Sequence, residues 1–211
     1  DGSITWNIDK RLPHTDHIEM SGKRISCVLR YGVNADSSFS ATRSLVWPML
    51  RTIPNNTHAS LTRRFKQDGF DLVTINYKPV EKEQVSSVTI NGTVIVKSRT
   101  VTGLELTRQF FTSTDLPGYG ELYTIKNTSG KNCVVEVPRL QETYFTDAAK
   151  GTEGSYALHI DISGTGSHLL KNNDSLIYSV FYSGIKREDP PLNVSVEMEK
   201  GKRLSFIQEI W

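Results

Sequence analysis

The chain has 211 residues, of which 37% are hydrophobic and 23% charged, and its formal net charge is +2 at pH 7. These values are typical of a folded globular protein and argue against a disordered chain. Lys and Arg are mixed with Asp and Glu, so the basic stripe that a nucleic acid requires is absent. No apolar run approaches the roughly 18 residues of a membrane-spanning helix. We therefore expect no nucleic-acid partner and no membrane span.

Short runs of alternating apolar and polar residues, separated by Gly, Asn, Asp and Pro, follow one another along the chain. A period of two places residues i and i+2 on one face of a strand, so each run covers a core with one side. Repeated at roughly 8–12 residues, this pattern predicts an all-β fold, an antiparallel sandwich or barrel. The predicted strands are 25–33, 61–65, 72–77, 84–90, 93–96, 104–111, 121–127, 134–138, 156–163, 176–183, 194–199 and 204–211.

Three segments depart from this pattern. Residues 1–23 are polar and predict an irregular start, with Trp6 in a first strand. Residues 34–56 predict a long loop, because aromatic and Arg residues are mixed there with turn formers, and long loops on a β scaffold often carry function. Residues 141–150 are the only helical candidate, so we expect at most one short helix. Asn91-Gly92 predicts a tight hairpin. The run 176–182 is apolar on both faces, which predicts a strand at the centre of a sheet.

The organisation of the chain is simple. No repeat, low-complexity tract or linker divides it, so residues 1–211 are predicted to form a single domain. The sequence ends within a strand-like run at Trp211, which we interpret as the boundary of a module in a longer protein. Cys27 and Cys133 lie far apart in strand-like runs, and either two buried free thiols or a disulfide between neighbouring strands fits them.

The densest polar cluster is His14, Asp16, His17 and Glu19. Imidazoles and carboxylates are zinc ligands, but no second ligand pair follows at a recognisable spacing. We interpret the cluster as a polar loop and predict no metal and no cofactor.

Glycoside hydrolysis needs two carboxyl groups facing each other across roughly 5–10 Å. Glu81 and Glu83 lie in a Lys-rich turn and are predicted to be solvated, and Asp161 alternates away from the core. The sequence also lacks the motifs of serine, zinc and phosphate-binding enzymes. We therefore predict no catalytic residue in this chain. The carboxylates considered, which we expect to be ordinary surface charges, are Asp68, Asp71, Glu81, Glu83, Glu105, Glu142, Asp147 and Asp161.

A set of aromatic and guanidinium side chains clusters in and near segment 34–56. Sugar rings stack on aromatic faces, and Arg binds their hydroxyls, so this mixture indicates a contact with carbohydrate or with another domain. Alternatively, Trp47 and Phe39 fill the core beneath a folded loop. The candidate contact residues are Trp6, Tyr31, Arg43, Trp47 and Arg51.

Several segments carry a resemblance to a known family. They are His14-Thr-Asp-His-Ile-Glu-Met-Ser-Gly-Lys-Arg, Val28-Leu-Arg-Tyr-Gly-Val, Ser44-Leu-Val-Trp-Pro-Met-Leu-Arg, Leu106-Thr-Arg-Gln-Phe-Phe-Thr-Ser-Thr-Asp-Leu-Pro and Leu122-Tyr-Thr-Ile-Lys-Asn-Thr. Together they resemble the N-terminal β-sandwich of bacterial six-hairpin glycosidases, which are α-L-rhamnosidase-like enzymes. The likeness covers most of residues 6–137 and thins afterwards.

This resemblance implies a two-layer antiparallel supersandwich, similar to the galactose-mutarotase fold, in a secreted or periplasmic glycoside hydrolase. In such enzymes a helical (α/α)6 domain carries the catalytic carboxylates, and residues 1–211 contain no such domain, so the resemblance carries over no catalytic residue. The expectation is a non-catalytic module that packs against a helical catalytic domain of the same polypeptide and contributes to an oligo- or polysaccharide cleft. Two alternatives remain. One is an autonomous carbohydrate-binding module that uses Trp47, Trp6 or Tyr119. The other is a small enzyme, such as a sugar epimerase, that uses His159 or His17.

Overall fold

The structure is a computed structural model that describes residues 2–8, 12–53, 59–197 and 205–209. Within these ranges the regular elements are strands and two 3₁₀ helices, Gly69–Leu72 and Ala148–Lys150, without any α-helix. The all-β prediction is confirmed. The strands are β1 Ile4–Asn7, β2 His14–Ser21, β3 Ser26–Val33, β4 Phe39–Thr52, β5 Ala59–Phe65, β6 Thr74–Ile75, β7 Lys78–Pro79, β8 Glu83–Ile90, β9 Val94–Thr100, β10 Leu104–Thr112, β11 Gly118–Asn127, β12 Cys133–Val137, β13 Gln141–Phe145, β14 Tyr156–Ser163, β15 Gly166–Leu170, β16 Ser175–Lys186, β17 Asn193–Glu197 and β18 Ser205–Glu209.

The strands form an open antiparallel sandwich. The main sheet has eight strands in the order β1-β8-β9-β10-β11-β16-β14-β13. Two four-stranded sheets supply residues to the same core: the second sheet, β2-β3-β4-β5, and the third sheet, β15-β12-β6-β7. The hairpin of β17 and β18 forms a separate two-stranded sheet. The predicted two-layer antiparallel sandwich is confirmed.

The second and third sheets cover different parts of the main sheet. The ring of Phe65 on β5 lies 4.8 Å from that of Tyr182 on β16. The indole of Trp47 on β4 packs on Gly184, where an added Cβ would lie 2.6 Å from the ring. At the other end, the Asn127 amide donates to the Leu170 carbonyl on β15, 3.0 Å away. The core is therefore continuous beneath both smaller sheets.

Segment 34–56 is not the predicted loop. Residues Phe39–Thr52 form β4, a strand of 14 residues. Its inward side chains follow the period of two, but one of them is Arg43, and a charged residue at a core position hid the pattern. Pro48 also suggested a loop, and it lies at the bulge where the pairing with β5 shifts between Trp47 and Arg51. Residues 54–56 lie outside the described part.

Two further predictions need correction, and two are confirmed. The polar start contains β2 as well as β1, because Ile18 and Met20 face inward on an otherwise polar edge strand. Residues 141–150 form the strand β13 before a single 3₁₀ turn, rather than two helical turns. The hairpin at Asn91-Gly92 is present, with Gly92 at φ +66°. The predicted central position of β16 is also confirmed, since it pairs with β11 and β14.

The predicted C-terminal hairpin is present, and the two cysteines are not bonded to each other. The final predicted hairpin is present as β17 and β18, and Trp211 lies outside the described residues. Cys27 and Cys133 are buried and free, which agrees with the first of the two interpretations. Among the described residues there is no helix of the length and apolarity needed to cross a membrane.

Candidate functional site

A polar cleft opens where the second sheet is incomplete. β5 pairs with β4 only from Arg43 onward, so the edge of β4 between Phe39 and Thr42 has no β5 neighbour. The chain leaves this edge at Lys66 and runs through the 3₁₀ helix Gly69–Leu72, because the Asp68 carboxylate caps that helix at the Phe70 N–H. The gap between the departing chain and β4 is the mouth of a cleft of about 740 Å³.

The cleft crosses the outer face of the second sheet and then descends past the edge of β4. Gly32 leaves its middle open, because a Cβ added there would occupy the space beside the Ser40 hydroxyl, at 3.0 Å, and the Thr15 side chain, at 3.4 Å. Donors and acceptors converge on one hollow from five strands and from the 66–71 segment. Its lining residues are Thr15, Asp16, His17, Arg30, Tyr31, Gly32, Phe39, Ser40, Ala41, Thr42, Lys66, Asp68, Asp71, Glu83 and Arg108.

The floor of the cleft is a buried guanidinium held by two carboxylates. Arg108 Nη1 donates to Glu83 Oε2 at 2.7 Å, and Arg108 Nε donates to Asp68 Oδ2 at 3.1 Å. The Ser98 hydroxyl also donates to Glu83. The Phe39 and Phe70 rings lie 4.9 and 5.3 Å from the Arg108 Cζ atom. Ion pairs and ring contacts thus fix this guanidinium in one orientation.

A second buried ion pair continues the floor toward the core. Arg43 donates through Nε and Nη2 to the two carboxylate oxygens of Glu121, and its Nη1 donates to the Gln67 carbonyl at 2.9 Å. The Tyr123 hydroxyl donates to Glu121 at 2.5 Å and accepts from the Gly69 N–H at 2.9 Å. This network ties the 66–72 segment to β11, so the departing chain is rigidly placed.

The charges of this network divide the cleft carboxyls into two kinds. Burial opposes the ionisation of Asp68, but Arg108 and Arg43 outweigh it and hold the pKa of that carboxyl below its usual range. Partial burial, reinforced by the charges of Asp68 and Glu83, raises the pKa of Asp71. Asp71 lies exposed on the cleft wall, and its carboxyl forms no hydrogen bond or ion pair within the described residues.

Burying this network costs folding free energy, because its charges lose their hydration. Two guanidinium groups face three buried carboxylates, a formal charge of −1 if all are ionised. Buried ion pairs usually stabilise a fold no better than apolar residues of similar volume. Because the charges lie directly beneath a polar cleft, we interpret them as the support of a binding site rather than as a source of stability.

The five contact residues predicted from the sequence do not come together. Tyr31 lines the cleft, and Arg43 lies beneath its floor. Trp47 is buried in the core, where its Nε1 donates to the Pro117 carbonyl at 2.9 Å. Trp6 is half-buried, with its ring edge-on to His14, and Arg51 is exposed, with its guanidinium 3.4 Å from the Ser60 hydroxyl. Arg43 and Trp47 therefore offer no surface to a ligand.

The other predicted sites are also divided among separate places. β2 alternates, so His14 and Asp16 share one face while His17 and Glu19 share the other, and within the described ranges no His, Cys, Asp and Glu side chains group in a way that could hold a metal ion. Tyr119 is fully buried, so the predicted row of Trp47, Trp6 and Tyr119 does not form a stacking surface.

The two candidate histidines lie in different environments. His17 is exposed and lines the cleft. His159 lies on the face of the main sheet that points away from the core, where its Nδ1 is 2.9 Å from the Thr143 hydroxyl. The predicted epimerase needs one His and a carboxylate in one hollow, and of the two candidates His17 is the one that shares the cleft with carboxylates.

Two assignments of carboxylates were wrong. Glu83 is buried and bound to Arg108 instead of being solvated in the Lys-rich turn, and Asp68 is buried instead of lying on the surface. A signal for the site does exist in the sequence. Arg108 stands between Leu106 and Phe110 in the apolar phase of β10, and such a misplaced charge indicates a buried partner. Arg43 in β4 gives the same signal.

Comparisons with known proteins do not identify the chain. No protein-family model matches it, and no curated protein matches it either.

Proposed function

We propose that this chain is a non-catalytic β-sandwich module of a secreted or periplasmic glycoside hydrolase, and that its cleft binds part of an oligo- or polysaccharide. The cleft between β4 and the 66–72 segment is the observation that carries the proposal. Its volume of about 740 Å³ is in the range of small-molecule sites. It combines hydroxyl, carboxylate and guanidinium groups, which a hydroxyl-rich ligand can bind as donor and as acceptor.

The arrangement of the cleft suits a sugar ring. The half-buried Phe39 ring supplies aromatic surface, and His17, Arg30 and Asp71 supply polar groups around it. The floor cannot reorient, because Arg108 is held by Glu83 and Asp68. A preorganised set of polar groups beside an aromatic surface lowers the free-energy cost of ordering a site upon binding.

The family resemblance adds support to the proposal. The three resembling segments of the first quarter of the chain fall on β2, β3 and β4, which are neighbours in the second sheet and supply most of the outer part of the cleft. The segment that begins at Leu106 contains Arg108 of the floor. The resembling segments that begin at His14, Val28 and Leu106 therefore contribute lining residues, whereas those that begin at Ser44 and Leu122 contribute none.

The ion pairs of the cleft carboxylates argue against hydrolysis of a glycosidic bond in this cleft. Cleavage of a glycosidic bond uses one carboxyl that gives a proton and a second that faces it as base or nucleophile. Asp71 has the raised pKa of a proton donor. Its neighbours Asp68 and Glu83, however, both bind the Arg108 guanidinium on the floor. We assign the reaction to a helical domain of the same polypeptide.

Exposed apolar residues at the end of β4 supply a surface for that domain. Met49 and Ile53 are four positions apart and are 63% and 55% exposed. They flank the bulge that follows Trp47, where β4 also meets Gly151 through an isolated bridge at Thr52. An apolar surface of this kind is favourable only when it is covered.

Titration calorimetry with a panel of oligosaccharides tests the binding function. We expect Asp71→Ala with His17→Ala to weaken binding by about tenfold or more, as the loss of hydrogen bonds to charged groups does. Glu105→Ala removes an exposed carboxylate from the outer face of β10 and serves as the matched control, with unchanged affinity. Full affinity in the double variant would contradict the proposal.

A reducing-sugar assay on the same chain tests the absence of catalysis. The proposal expects binding without release of reducing ends. Hydrolysis that disappears in Asp71→Asn would place the reaction in this cleft and overturn the assignment to a helical domain.

A further inference from the structure

A second hollow lies beside the cleft, between the open edges of two sheets. β5 ends the second sheet and β13 ends the main sheet, and among the described strands neither has a further neighbour on its open side. The space between them, which we call the edge groove, has a volume of about 310 Å³. Arg63, Arg64, Phe65 and Lys66 line one side, and Leu140, Glu142 and Tyr144 line the other.

The edge groove has an excess of positive charge. Arg63, Arg64 and Lys66 are exposed, and none of them forms an ion pair with a described residue. Among the described residues, the only acidic side chain in its lining is Glu142, which accepts a hydrogen bond from the Tyr144 hydroxyl. Guanidinium groups bind carboxylate and sulfate oxygens in a two-pronged geometry. The groove therefore fits an anionic ligand.

The floor of the edge groove is aromatic and apolar. The Phe65 and Tyr182 rings lie 4.8 Å apart, and Leu140 and Ile160 pack beside them. Tyr144 is 44% exposed at the rim. Exposed aromatic surface next to Arg side chains suits a ligand that combines rings with negative charges, because the ring faces stack while the charges pair.

The groove and the cleft are neighbours. Lys66 lines both of them, since it stands where the chain leaves β5 and turns toward the cleft floor at Asp68. A chain-like ligand that leaves the cleft over the exposed Lys66 side chain would meet the edge groove next. A free small anion would need only one of the two hollows.

We propose that the edge groove extends the cleft into one binding site for an acidic oligosaccharide, whose carboxylate or sulfate groups pair with Arg63, Arg64 and Lys66. This inference rests on the proposed saccharide-binding function and adds the charge of the ligand to it. Uronate and sulfated sugars share the chemistry that these side chains recognise, and the experiment separates them.

Titration with three matched probes tests the inference: a short oligogalacturonate, its carboxyl-reduced neutral counterpart and a sulfated oligosaccharide. At low salt we expect at least one acidic probe to bind about tenfold more tightly than the neutral one, and the better acidic probe identifies the anion. Salt should narrow the difference, because exposed charges are screened. Equal affinity for neutral and acidic probes would overturn the inference.

Substitutions in the edge groove test whether its side chains cause the preference for the acidic oligosaccharide. Arg63→Gln with Arg64→Gln should remove most of the preference for the acidic probe and leave neutral binding unchanged. Lys97→Gln with Arg99→Gln removes two exposed cations from β9 and is the matched control, which should keep the preference. A preference that survives the Arg63 and Arg64 changes would contradict the inference, as would equally tight binding of an acidic peptide.

The two proposals fail in different ways. If the neutral probe binds and Asp71→Ala weakens it, but charge has no effect, the cleft function stands and the edge-groove inference is wrong. If no saccharide binds, both are wrong. Thermal unfolding of each variant confirms that any loss of binding is not a loss of the fold.

Discussion

The two halves of β10 face very different interiors. Leu104 and Leu106 join an apolar core beside the third sheet, and Leu104 shares a hollow with Ile75 and Cys133. Arg108 points to the same side of the same strand, yet it lies among carboxylates beneath the cleft. One alternating strand thus contributes Leu104 and Leu106 to an apolar core and, between Leu106 and the buried Phe110, places Arg108 in a charged floor.

The apolar half of the strand stabilises the fold, whereas the charged half supports the cleft. Each buried Leu stabilises the fold by roughly 1.5–3 kcal/mol through removal of apolar surface from water. The charged half loses hydration that its ion pairs only partly replace. A charged floor is thus retained at a cost in stability, and the cleft directly above it gives the physical reason for keeping it.

The largest effect is expected from breaking the charged half. Arg108→Ala leaves Asp68 and Glu83 buried without their shared partner, so the free energy of unfolding should fall by about 3–5 kcal/mol. Urea denaturation measures the change. Arg99→Ala, on the exposed side of neighbouring β9, is the matched control and should change stability by less than about 0.5 kcal/mol. A small effect at Arg108 would show that the network is solvated.

The second-largest effect is expected from a substitution in the apolar half of β10. Leu106→Ala should lower the free energy of unfolding by about 2–5 kcal/mol, because the side chain is fully buried and leaves a cavity. Saccharide affinity of the folded variant, measured by calorimetry, should remain unchanged. A loss of affinity comparable to that of the cleft variants would contradict the division of the interior into two halves.

The apolar and charged parts of the interior differ in how well the sequence predicts them. Alternation predicted β10 and β16 closely, because their inward residues are almost all apolar. It failed at β4, where Arg43 occupies a core position and Pro48 a bulge. The cleft was missed for the same reason. Its charged residues come from β2, β3, the 66–71 segment, β8 and β10, and only the pairing of sheets brings them together.

The acid dependence of stability gives a smaller effect. The folded pKa of Asp68 is below its usual value of 3.8, so its contribution is fully present above pH 3.8 and is lost as the pH falls through the folded value. Asp68→Asn removes this contribution, so its free energy of unfolding should decline less steeply than that of the wild type below pH 3.8. Denaturant titrations across this pH range measure both slopes. Parallel slopes would mean that Asp68 is not held by the two guanidinium groups.

The smallest effect concerns thiol reactivity. Burial raises the pKa of Cys27 to about 12, so at pH 8 its reactive thiolate form is scarce. In native protein a thiol reagent should label Cys27 far more slowly than in urea. Cys133, whose pKa burial also raises, is the internal comparison on the third sheet. Mass spectrometry of the labelled peptides reads both sites, and rapid native labelling of Cys27 would mean that this part of the core opens readily.

Backbone amide shifts of the isotope-labelled chain during titration with a bound oligosaccharide test the central claim most directly. The account predicts that the perturbed amides include Gly32, Ser40 and Asp71 around the cleft, with little change on the outward face of β14. Shifts confined to that outward face, or a bound sugar that leaves the three cleft amides undisturbed, would contradict it.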